Sequence, residues 1–271
     1  QSTLALDQPS PGIARITLSR AAELNTLTFE LIEELHAQLA ALRADPPRAL
    51  ILTGSGRAFC GGAHVTYFTE PVSSLYGNHR AIRDSYVRPI IEVFDAITAL
   101  PCPTIAAING HALGGGMELA LACDFRLAAA GVRLGFPEAR LGALAGANGV
   151  QQLHRIIGRA KALEVLLLAE HLSTDKALEL GLLTAVHDES ALADAALDFA
   201  RRFLPLSPIA LAETKRAVYR TESMTLAAAH EVALDAVQIA AAGPEWIEGM
   251  SAFRERREPS FATTAGPDAS G

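Results

Sequence analysis

The chain has 271 residues, of which 50% are hydrophobic and 20% are charged, and its formal net charge is −7. This composition provides enough apolar residues for a substantial core and excludes a globally disordered chain. The acidic balance, without any basic run, argues against nucleic acid as the main partner. The length allows one large domain or one domain with an appendage.

Cysteine usage and hydropathy bear on the compartment of the protein. Cys60, Cys102 and Cys123 show no CxxC spacing, which predicts a reducing compartment and no zinc site. No stretch approaches the roughly 20 apolar residues of a membrane span. The chain does not open with a basic region followed by an apolar run, the pattern of a signal peptide. We therefore expect a cytoplasmic protein with no membrane partner.

Short apolar runs alternate with helical patterns through the first half of the chain. The predicted strands are residues 13–19, 49–52, 104–108, 125–129 and 132–136. Thr28 is predicted to cap a helix that ends before Pro46, and residues 79–100 form a second predicted helix. Pro89 inside the second helix should cause a kink or a break. Strands that alternate with helices predict an α/β core.

From residue 148 onward the pattern is helical. The predicted helices cover residues 148–157, 159–169, 174–180, 190–203, 207–220 and 223–242. Ser207 followed by Pro208 is typical of a helix start, because Pro is tolerated in the first turn. Gly181 and Gly243 are typical of helix ends.

The most informative stretch is residues 104–123, in which an apolar run leads into three consecutive glycines. We predict a strand, a glycine-rich corner and a buried helix there. Glu118 lies about one turn into this helix among apolar residues, where a carboxylate is costly unless it is paired, neutral or used. A second glycine-rich corner, residues 54–63, follows the strand at 49–52. A second carboxylate, Glu138, comes 20 residues after the first.

Two such corners and two carboxylates suggest a catalytic site. Backbone N–H groups from the two corners can converge on one oxygen and form an oxyanion hole, while Glu118 and Glu138 divide acid and base roles. The residues alone leave other interpretations open: Glu118 can be a structural carboxylate, and Glu138 can cap a turn. Neither corner completes GxxxxGK[ST] or GxGxxG, so a phosphate loop or dinucleotide site is not supported.

Taken together, these segments resemble the crotonase family, the enoyl-CoA hydratases and isomerases. The matching segments are GRAFCGGA at 56–63, NGHALGGGMELA at 109–120, FPEARLG at 136–142, GRAKALE at 158–164, ALELGLL at 177–183 and GMSAFRERREP at 249–259. Their order along the whole chain makes the resemblance specific. It implies an α/β crotonase fold, with a spiral of ββα turns over residues 1–202. Residues 203–271 would form a C-terminal helical trimerisation region with a frayed tail.

The resemblance also implies site residues and partners. Gly61 and Gly115 would supply the oxyanion N–H groups, and Glu118 and Glu138 would be the catalytic acid/base pair. The implied substrate-binding residues are Ala63, His64, Phe253 and Arg256, of which the last two would reach the CoA of a neighbouring subunit. The ligand would be an acyl-CoA bound by a homotrimer or a dimer of trimers. No metal is implied, and no cofactor apart from the coenzyme A of the substrate.

Three positions depart from the usual family pattern. His64 stands where Asp is usual, which changes the charge beside the first corner. Asn148 replaces a common Gly, and we expect the turn to survive because Asn tolerates a left-handed backbone. Arg256 replaces the usual Lys of the tail and keeps its charge. The aromatic residues of the predicted mobile loop at 64–78, Tyr67, Phe68 and Tyr76, either pack the loop or line an acyl pocket.

The best single activity is hydration of a trans-2-enoyl-CoA to a 3-hydroxyacyl-CoA. Isomerisation of an enoyl-CoA on the same scaffold is the first alternative, with one carboxylate moving a proton between carbons. Hydrolysis or C–C cleavage of a specialised acyl-CoA is the second. A non-catalytic CoA-binding scaffold is disfavoured, because both carboxylates and both glycine corners are present.

Overall fold

A computed structural model describes residues 2–261 of the chain. The chain divides into two compact units at the boundary between residues 201 and 202. Part of the predicted frayed tail, residues 262–271, lies outside the described residues. Within the described part we find no helix with the length and apolar character needed to cross a membrane.

Two sheets form the framework of the first unit. The strands found within residues 2–261 are β1 (Leu4–Ser10), β2 (Ile13–Leu18), β3 (Ala49–Gly54), β4 (Ala58–Cys60), β5 (Thr104–Ile108), β6 (His111–Leu113), β7 (Phe125–Ala129), β8 (Leu134–Gly135) and β9 (Ala185–His187). The larger sheet has the order β1-β2-β3-β5-β7-β9, and the smaller has the order β4-β6-β8. The β1–β2 pair is antiparallel, and the other pairs are parallel.

The chain passes through the two sheets as a spiral. Three successive strand pairs, β3–β4, β5–β6 and β7–β8, each place one strand in the larger sheet and the next in the smaller. Asn109 joins two of these turns, because its side chain accepts the Gly54 N–H at 2.8 Å and donates to the Gly56 carbonyl at 2.9 Å. The predicted α/β class and spiral of strands are therefore confirmed.

Helices cover the sheets of the first unit. They are α1 (Phe29–Ala44), α2 (Thr66–Thr69), α3 (His79–Ala81), α4 (Arg88–Thr98), α5 (Gly115–Leu121), α6 (Gly149–Ile157), α7 (Arg159–Leu168), α8 (Thr174–Glu179) and α9 (Leu192–Arg201). Short 3-10 segments occur at Ala21–Glu23, Pro137–Leu141 and Glu189–Ala191. Thr28 caps α1 as predicted, with its hydroxyl accepting the Leu31 N–H at 3.3 Å.

The predicted helix at 79–100 is interrupted. A π-helical segment, Ile82–Val87, separates α3 from α4 and ends two residues before Pro89. Proline has no N–H to offer the carbonyl four residues earlier, so the preceding turn cannot be regular α-helix throughout. The disturbance expected at Pro89 takes the form of a wider turn on its N-terminal side.

Several short strands escaped sequence analysis. β4, β6 and β9 have three residues each, which is too short for an alternating pattern to be visible. β1 is mostly exposed and carries polar residues, so it lacks an apolar signal. The predicted strand at 132–136 shrinks to the two residues of β8, because Pro137 begins a 3-10 segment immediately after it.

Helix α5 is enclosed along its whole length, with all seven of its residues buried. Gly116 lies against the backbone of β4, so close that a Cβ at this position would overlap the Cys60 carbonyl oxygen. At the other end of α5, the buried Arg126 guanidinium donates to the Cys123 carbonyl at 2.7 Å. A cation at this end is favourable, since the last carbonyls of a helix carry partial negative charge. The first contact holds α5 against the smaller sheet, and the second links its C-terminal end to β7 of the larger sheet.

The second unit contains α10 (Pro208–Thr221), α11 (Leu226–Ala242) and α12 (Pro244–Glu255) within its described part. The Ser207 hydroxyl caps α10 by accepting the Ala210 N–H at 3.0 Å, as its sequence predicts. Helix α12 was not predicted. The exposed apolar side chains of these helices include Leu226, Leu234, Val237, Ile247, Met250 and Phe253.

We expect Gly116→Ala to destabilise the protein by about 3 kcal/mol, because the methyl group would overlap the β4 backbone and force α5 outward. Gly249→Ala is the matched helical control. A Cβ there meets only the Phe261 ring at 3.6 Å, so helix propensity should stabilise α12 by about 0.5–1 kcal/mol. Urea unfolding of both variants measures these effects, and a Gly116→Ala variant as stable as wild type would contradict the packing.

Candidate active site

The candidate residues lie where the three strands of the smaller sheet end. β4, β6 and β8 are parallel, so their carboxyl ends meet at one edge of the sheet. Residues 61–64 follow β4, residues 114–118 follow β6, and residues 136–138 follow β8. The two glycine-rich corners and the two carboxylates therefore come together, although they are separated by up to 77 positions in the sequence.

The structure contradicts the assignment of Gly61 as an oxyanion donor. The Gly61 N–H donates to the Leu24 carbonyl at 2.8 Å, and a ligand oxygen cannot use the same hydrogen. Leu24 reaches this position because it and Asn25 both adopt left-handed backbone conformations, with φ of 56° and 52°. This assignment was wrong because the acceptor comes from a distant segment that the motif at 56–63 does not reveal.

Ala63, two residues after Gly61, offers a backbone N–H in its place. Leu27 forms a parallel bridge with Ala63 and donates its N–H to the Gly62 carbonyl at 2.8 Å. In a parallel bridge the central residue directs its own N–H and carbonyl away from the partner. Within residues 2–261, we find no protein acceptor for the Ala63 N–H. It is therefore available to a ligand.

Gly115 offers the backbone N–H to which the resemblance assigned the role of second donor. It is the first residue of α5, where backbone N–H groups have no intrahelical acceptor. A Cβ built on Gly115 would lie 3.6 Å from the Ala63 nitrogen, so the two N–H groups are close neighbours. Together they can bind one oxygen that carries negative charge.

Sequence analysis missed Asn25, which holds the first corner in place. Asn25 is completely buried, and its Nδ2 donates to the Ala58 carbonyl at 2.8 Å and the Ser55 carbonyl at 3.0 Å. The left-handed backbone and the buried amide both suit Asn, which tolerates this conformation better than most residues. The only local signal was an Asn shortly before a helix cap.

Glu118 is buried and held by backbone donors. Its Oε1 accepts the N–H groups of Ala147 at 2.9 Å, Asn148 at 2.8 Å and Gly149 at 2.8 Å. These donors lie at the start of α6, a place that favours negative charge. Burial raises the pKa of Glu118 above its ordinary value, and the three N–H groups oppose that shift by stabilising the carboxylate.

Asn148 does not need the left-handed backbone that we expected of it. Its φ is −161°, which is extended backbone open to any residue. Its side chain instead donates from Nδ2 to the Glu118 carbonyl at 3.3 Å. Asn148 therefore contributes both a backbone and a side-chain hydrogen bond to the residue that carries the buried carboxylate.

Glu138 has a contrasting environment. It lies in the 3-10 segment after β8, and its Oε2 is a buried atom that lacks a hydrogen-bond partner among the described residues. Burial raises the pKa of Glu138 to about 7, and the negative charge of Glu118 adds to the shift. Gly114 lies beside this carboxyl, since a Cβ on it would be 2.7 Å from Oε1.

The site therefore combines two backbone donors with two unlike carboxyl groups. Near neutral pH Glu138 is present in both protonation states, while Glu118 has the donors that a carboxylate requires. Such a site can stabilise an oxyanion and transfer protons on either side of it. Over residues 2–261, no group of three His, Cys, Asp or Glu side chains is arranged to hold a metal ion.

His64 is directed to neighbouring side chains. Its Nδ1 lies 2.9 Å from the Thr26 hydroxyl, and its ring centroid is 4.7 Å from that of Tyr67. Hydrogen bonds from the backbone N–H of Glu30 and from the Thr28 hydroxyl lower the pKa of the nearby Glu30 carboxyl, and the His64 ring makes a smaller contribution in the same direction. The substrate-binding role of His64 stays a prediction.

Two of the three aromatic residues at 64–78 pack into a cluster. The Tyr67 ring stacks on Phe29 at 4.8 Å, and the Phe68 ring meets Tyr86 edge-on at 5.5 Å. Tyr76 is half exposed and takes no part in these ring contacts. Loop packing therefore accounts for Tyr67 and Phe68.

Phe253 and Arg256 belong to the second unit. Phe253 is 85% exposed, and Arg256 ends α12 in a left-handed conformation with φ of 57°. The neighbouring Arg257 forms an ion pair with Glu248, and its guanidinium lies 2.6 Å from the carboxylate. Arg256 makes no ion pair within the described residues. Its predicted role as a cation for CoA is compatible with this.

Comparisons with known proteins agree with the geometry. The family model described as enoyl-CoA hydratase/isomerase matches residues 8–264. The (E)-benzylidenesuccinyl-CoA hydratase of Thauera aromatica is 35% identical over 93% of this chain and 96% of its own. The enoyl-CoA isomerase/hydratase fer4 of Mycosarcoma maydis is 33% identical over 92% of each chain. The crystal structure of an enoyl-CoA hydratase from Bacillus anthracis superposes with a TM-score of 0.89 at 34% identity, covering 96% and 98% of the two chains.

The raised pKa of Glu138 predicts a dependence of stability on pH. Below pH 4.5 the carboxyl is protonated in both states, but between 4.5 and about 7 only the unfolded chain releases the proton. Stability should therefore fall as pH rises through this window. In Glu138→Gln, whose amide does not titrate, the fall should be smaller. Urea unfolding from pH 4.5 to 8 measures the difference, and identical profiles would show that burial does not perturb this carboxyl.

Proposed function

The chain belongs to the enoyl-CoA hydratase/isomerase family, and on that premise we propose that it hydrates a trans-2-enoyl-CoA to a 3-hydroxyacyl-CoA. The observation that carries the proposal is the pair of unlike carboxyl groups beside two converging backbone donors. Hydration needs a proton taken from water and a proton given to carbon, so it uses two groups with different proton affinities.

The backbone donors act on the thioester oxygen. The N–H groups of Ala63 and Gly115 hydrogen bond to this oxygen and gain strength as it becomes an enolate oxygen. Because the charge is larger in the transition state than in the bound substrate, the donors accelerate the reaction rather than only binding substrate. Donors of this kind are worth on the order of 10²–10³ in rate.

The carboxyl groups divide the proton transfers. Glu118 takes a proton from water through the oxygen that the three backbone N–H groups leave uncovered, and the water oxygen bonds to Cβ. The electron pair of the double bond moves toward the thioester and forms the enolate. Glu138 then gives its proton to Cα, which completes the addition. Exchange with solvent returns both groups to their starting states.

Isomerisation is the second candidate, because a related protein is an isomerase/hydratase. One carboxylate that lifts a proton from one carbon and returns it to another would be enough for this reaction. Hydrolysis or C–C cleavage of a specialised acyl-CoA uses the same oxyanion site. These activities differ in which carboxyl group they need, and mutation can separate them.

The proposal also covers the oligomeric state, the CoA contacts, the cofactors and the location of the protein. The exposed apolar side chains of α10 to α12 suggest self-association, as a homotrimer or a dimer of trimers. Phe253 and Arg256 would then contact the CoA of a neighbouring subunit. The reaction needs no metal or cofactor beyond the coenzyme A of the substrate, and a cytoplasmic location remains our expectation.

If the proposal is right, Glu118→Gln and Glu138→Gln should each slow hydration of crotonyl-CoA on the order of 10²-fold or more. The double variant should lose less than the product of the two, because both groups act on one bound water and one substrate. Steady-state kinetics with product identification by mass measure these losses. Glu33→Gln, an exposed carboxylate on α1, is the control and should retain wild-type rates.

Two outcomes would redirect the assignment. If one of the two variants keeps near wild-type hydration, the two-carboxylate mechanism is wrong. If the wild type converts 3-enoyl to 2-enoyl substrates far faster than it adds water, isomerisation replaces hydration as the proposed activity. The carboxylate whose loss abolishes that conversion is then the proton carrier.

Arg256→Ala should weaken binding of CoA esters while turnover stays nearly unchanged. A cation that pairs with a CoA phosphate far from the reacting carbons contributes equally to ground and transition states. The effect should shrink as salt is added. Arg257→Ala is the matched control, since Glu248 already neutralises Arg257. A fall in turnover with unchanged binding would argue against this placement of Arg256.

A further inference from the structure

The Tyr86 hydroxyl joins two backbone groups beside the first oxyanion donor. It donates to the Leu27 carbonyl at 2.6 Å and accepts the His64 N–H at 3.0 Å. The side chain is 2% exposed, so water does not compete for these bonds. His64 directly follows Ala63, whose free N–H faces the site.

This hydroxyl lies at one of the two rungs of the parallel bridge between Leu27 and Ala63. A regular parallel bridge joins Leu27 to the residues on both sides of Ala63 by two direct backbone bonds. The first is present, from the Leu27 N–H to the Gly62 carbonyl at 2.8 Å. At the second, the Tyr86 hydroxyl bonds both groups of the rung, the Leu27 carbonyl and the His64 N–H. The peptide units flanking Ala63 are thus both held, one directly and one through a side chain.

The fold places Tyr86 by an unusual backbone feature. The residue lies in the π-helical segment, where the Arg88 N–H bonds the Arg83 carbonyl five positions earlier. Segments of this kind are rare and often occur at functional sites. The Tyr86 ring is held edge-on by Phe29 at 5.6 Å and Phe68 at 5.5 Å. The ring therefore has little freedom to move its hydroxyl away.

We propose that Tyr86 is a positioning residue that sets the direction of the Ala63 N–H in the oxyanion hole. The inference rests on the proposed function in one respect, that the Ala63 N–H polarises a thioester carbonyl. Without the hydroxyl, the His64 N–H and the Leu27 carbonyl lose their common partner, and the peptide at Ala63 can rotate. A small displacement of a catalytic group is enough to reduce the rate markedly.

Tyr86→Phe is the direct test, because it removes one oxygen and keeps the ring. We expect kcat for crotonyl-CoA hydration to fall about 10- to 100-fold, below the loss that follows complete removal of a donor, with a much smaller change in KM. The second readout is the carbonyl stretching frequency of bound butyryl-CoA, which has no double bond to hydrate. Wild type should lower this frequency, and Tyr86→Phe should lower it less.

Thr53→Val is the matched control. It removes another hydroxyl that donates to a backbone carbonyl, that of Ala107 at 2.7 Å, in the larger sheet. It should leave kcat and the carbonyl frequency unchanged. If Tyr86→Phe does not fold, 3,5-difluorotyrosine at position 86 keeps the ring and hydroxyl. This change weakens the hydroxyl as an acceptor for the His64 N–H, and it should move the frequency in the same direction.

The two readouts separate this inference from the proposed function. A wild-type protein that lowers the carbonyl frequency but hydrates no enoyl-CoA would end the hydratase proposal, while a smaller shift in Tyr86→Phe would still support the role of Tyr86. A folded Tyr86→Phe variant with wild-type frequency would overturn the inference. So would a wild-type protein that binds butyryl-CoA without any shift.

Discussion

The site depends on three backbone N–H groups at the start of α6 that converge on one oxygen of Glu118. A carboxylate buried in an apolar helix would otherwise be neutral or would displace the helix. With these bonds, α5 can remain enclosed on all sides and still carry a charge. The same bonds fix where the second carboxylate oxygen lies, because the first cannot move without losing three donors. The bonds that allow the first unit to fold around Glu118 are therefore the same bonds that place its carboxylate.

The position of the Glu118 carboxylate also affects the pKa of Glu138. Its carboxyl has a buried oxygen without a protein donor, and it lies within the field of Glu118. Two carboxyl groups that share a pocket titrate apart when one of them receives more hydrogen bonds than the other. The fold achieves this asymmetry with backbone alone, since the donors to Glu118 belong to a helix start and Glu138 sits beside a glycine. No basic side chain is needed to separate the two proton affinities.

Main-chain N–H groups also form the proposed oxyanion site, and other segments decide which of these N–H groups are free. At the left-handed turn of Leu24 and Asn25, the Leu24 carbonyl accepts the Gly61 N–H. The bridge between Leu27 and Ala63 leaves the Ala63 N–H available. Tyr86 supports this selection from a third segment. Because every backbone N–H is chemically alike, the selection is made entirely by which acceptors the surrounding chain supplies.

The sequence by itself determined the α/β class, the two glycine-rich corners and the two candidate carboxylates. These follow from local signals: apolar runs of strand length, consecutive glycines, and single acids in apolar or proline-bounded stretches. The spiral of strands was implied by the family resemblance. Only the tertiary structure decided between Gly61 and Ala63, extended the chain of positioning groups to Asn25 and Tyr86, and gave Asn148 its hydrogen bonds. The tertiary structure also decided the short strands β4 and β6, since their three residues form strands only because each strand pairs with another in the smaller sheet. The physical reason is that hydrogen-bond partners come from segments tens of residues away, and nothing in the local pattern of a donor records which acceptor the fold will bring to it.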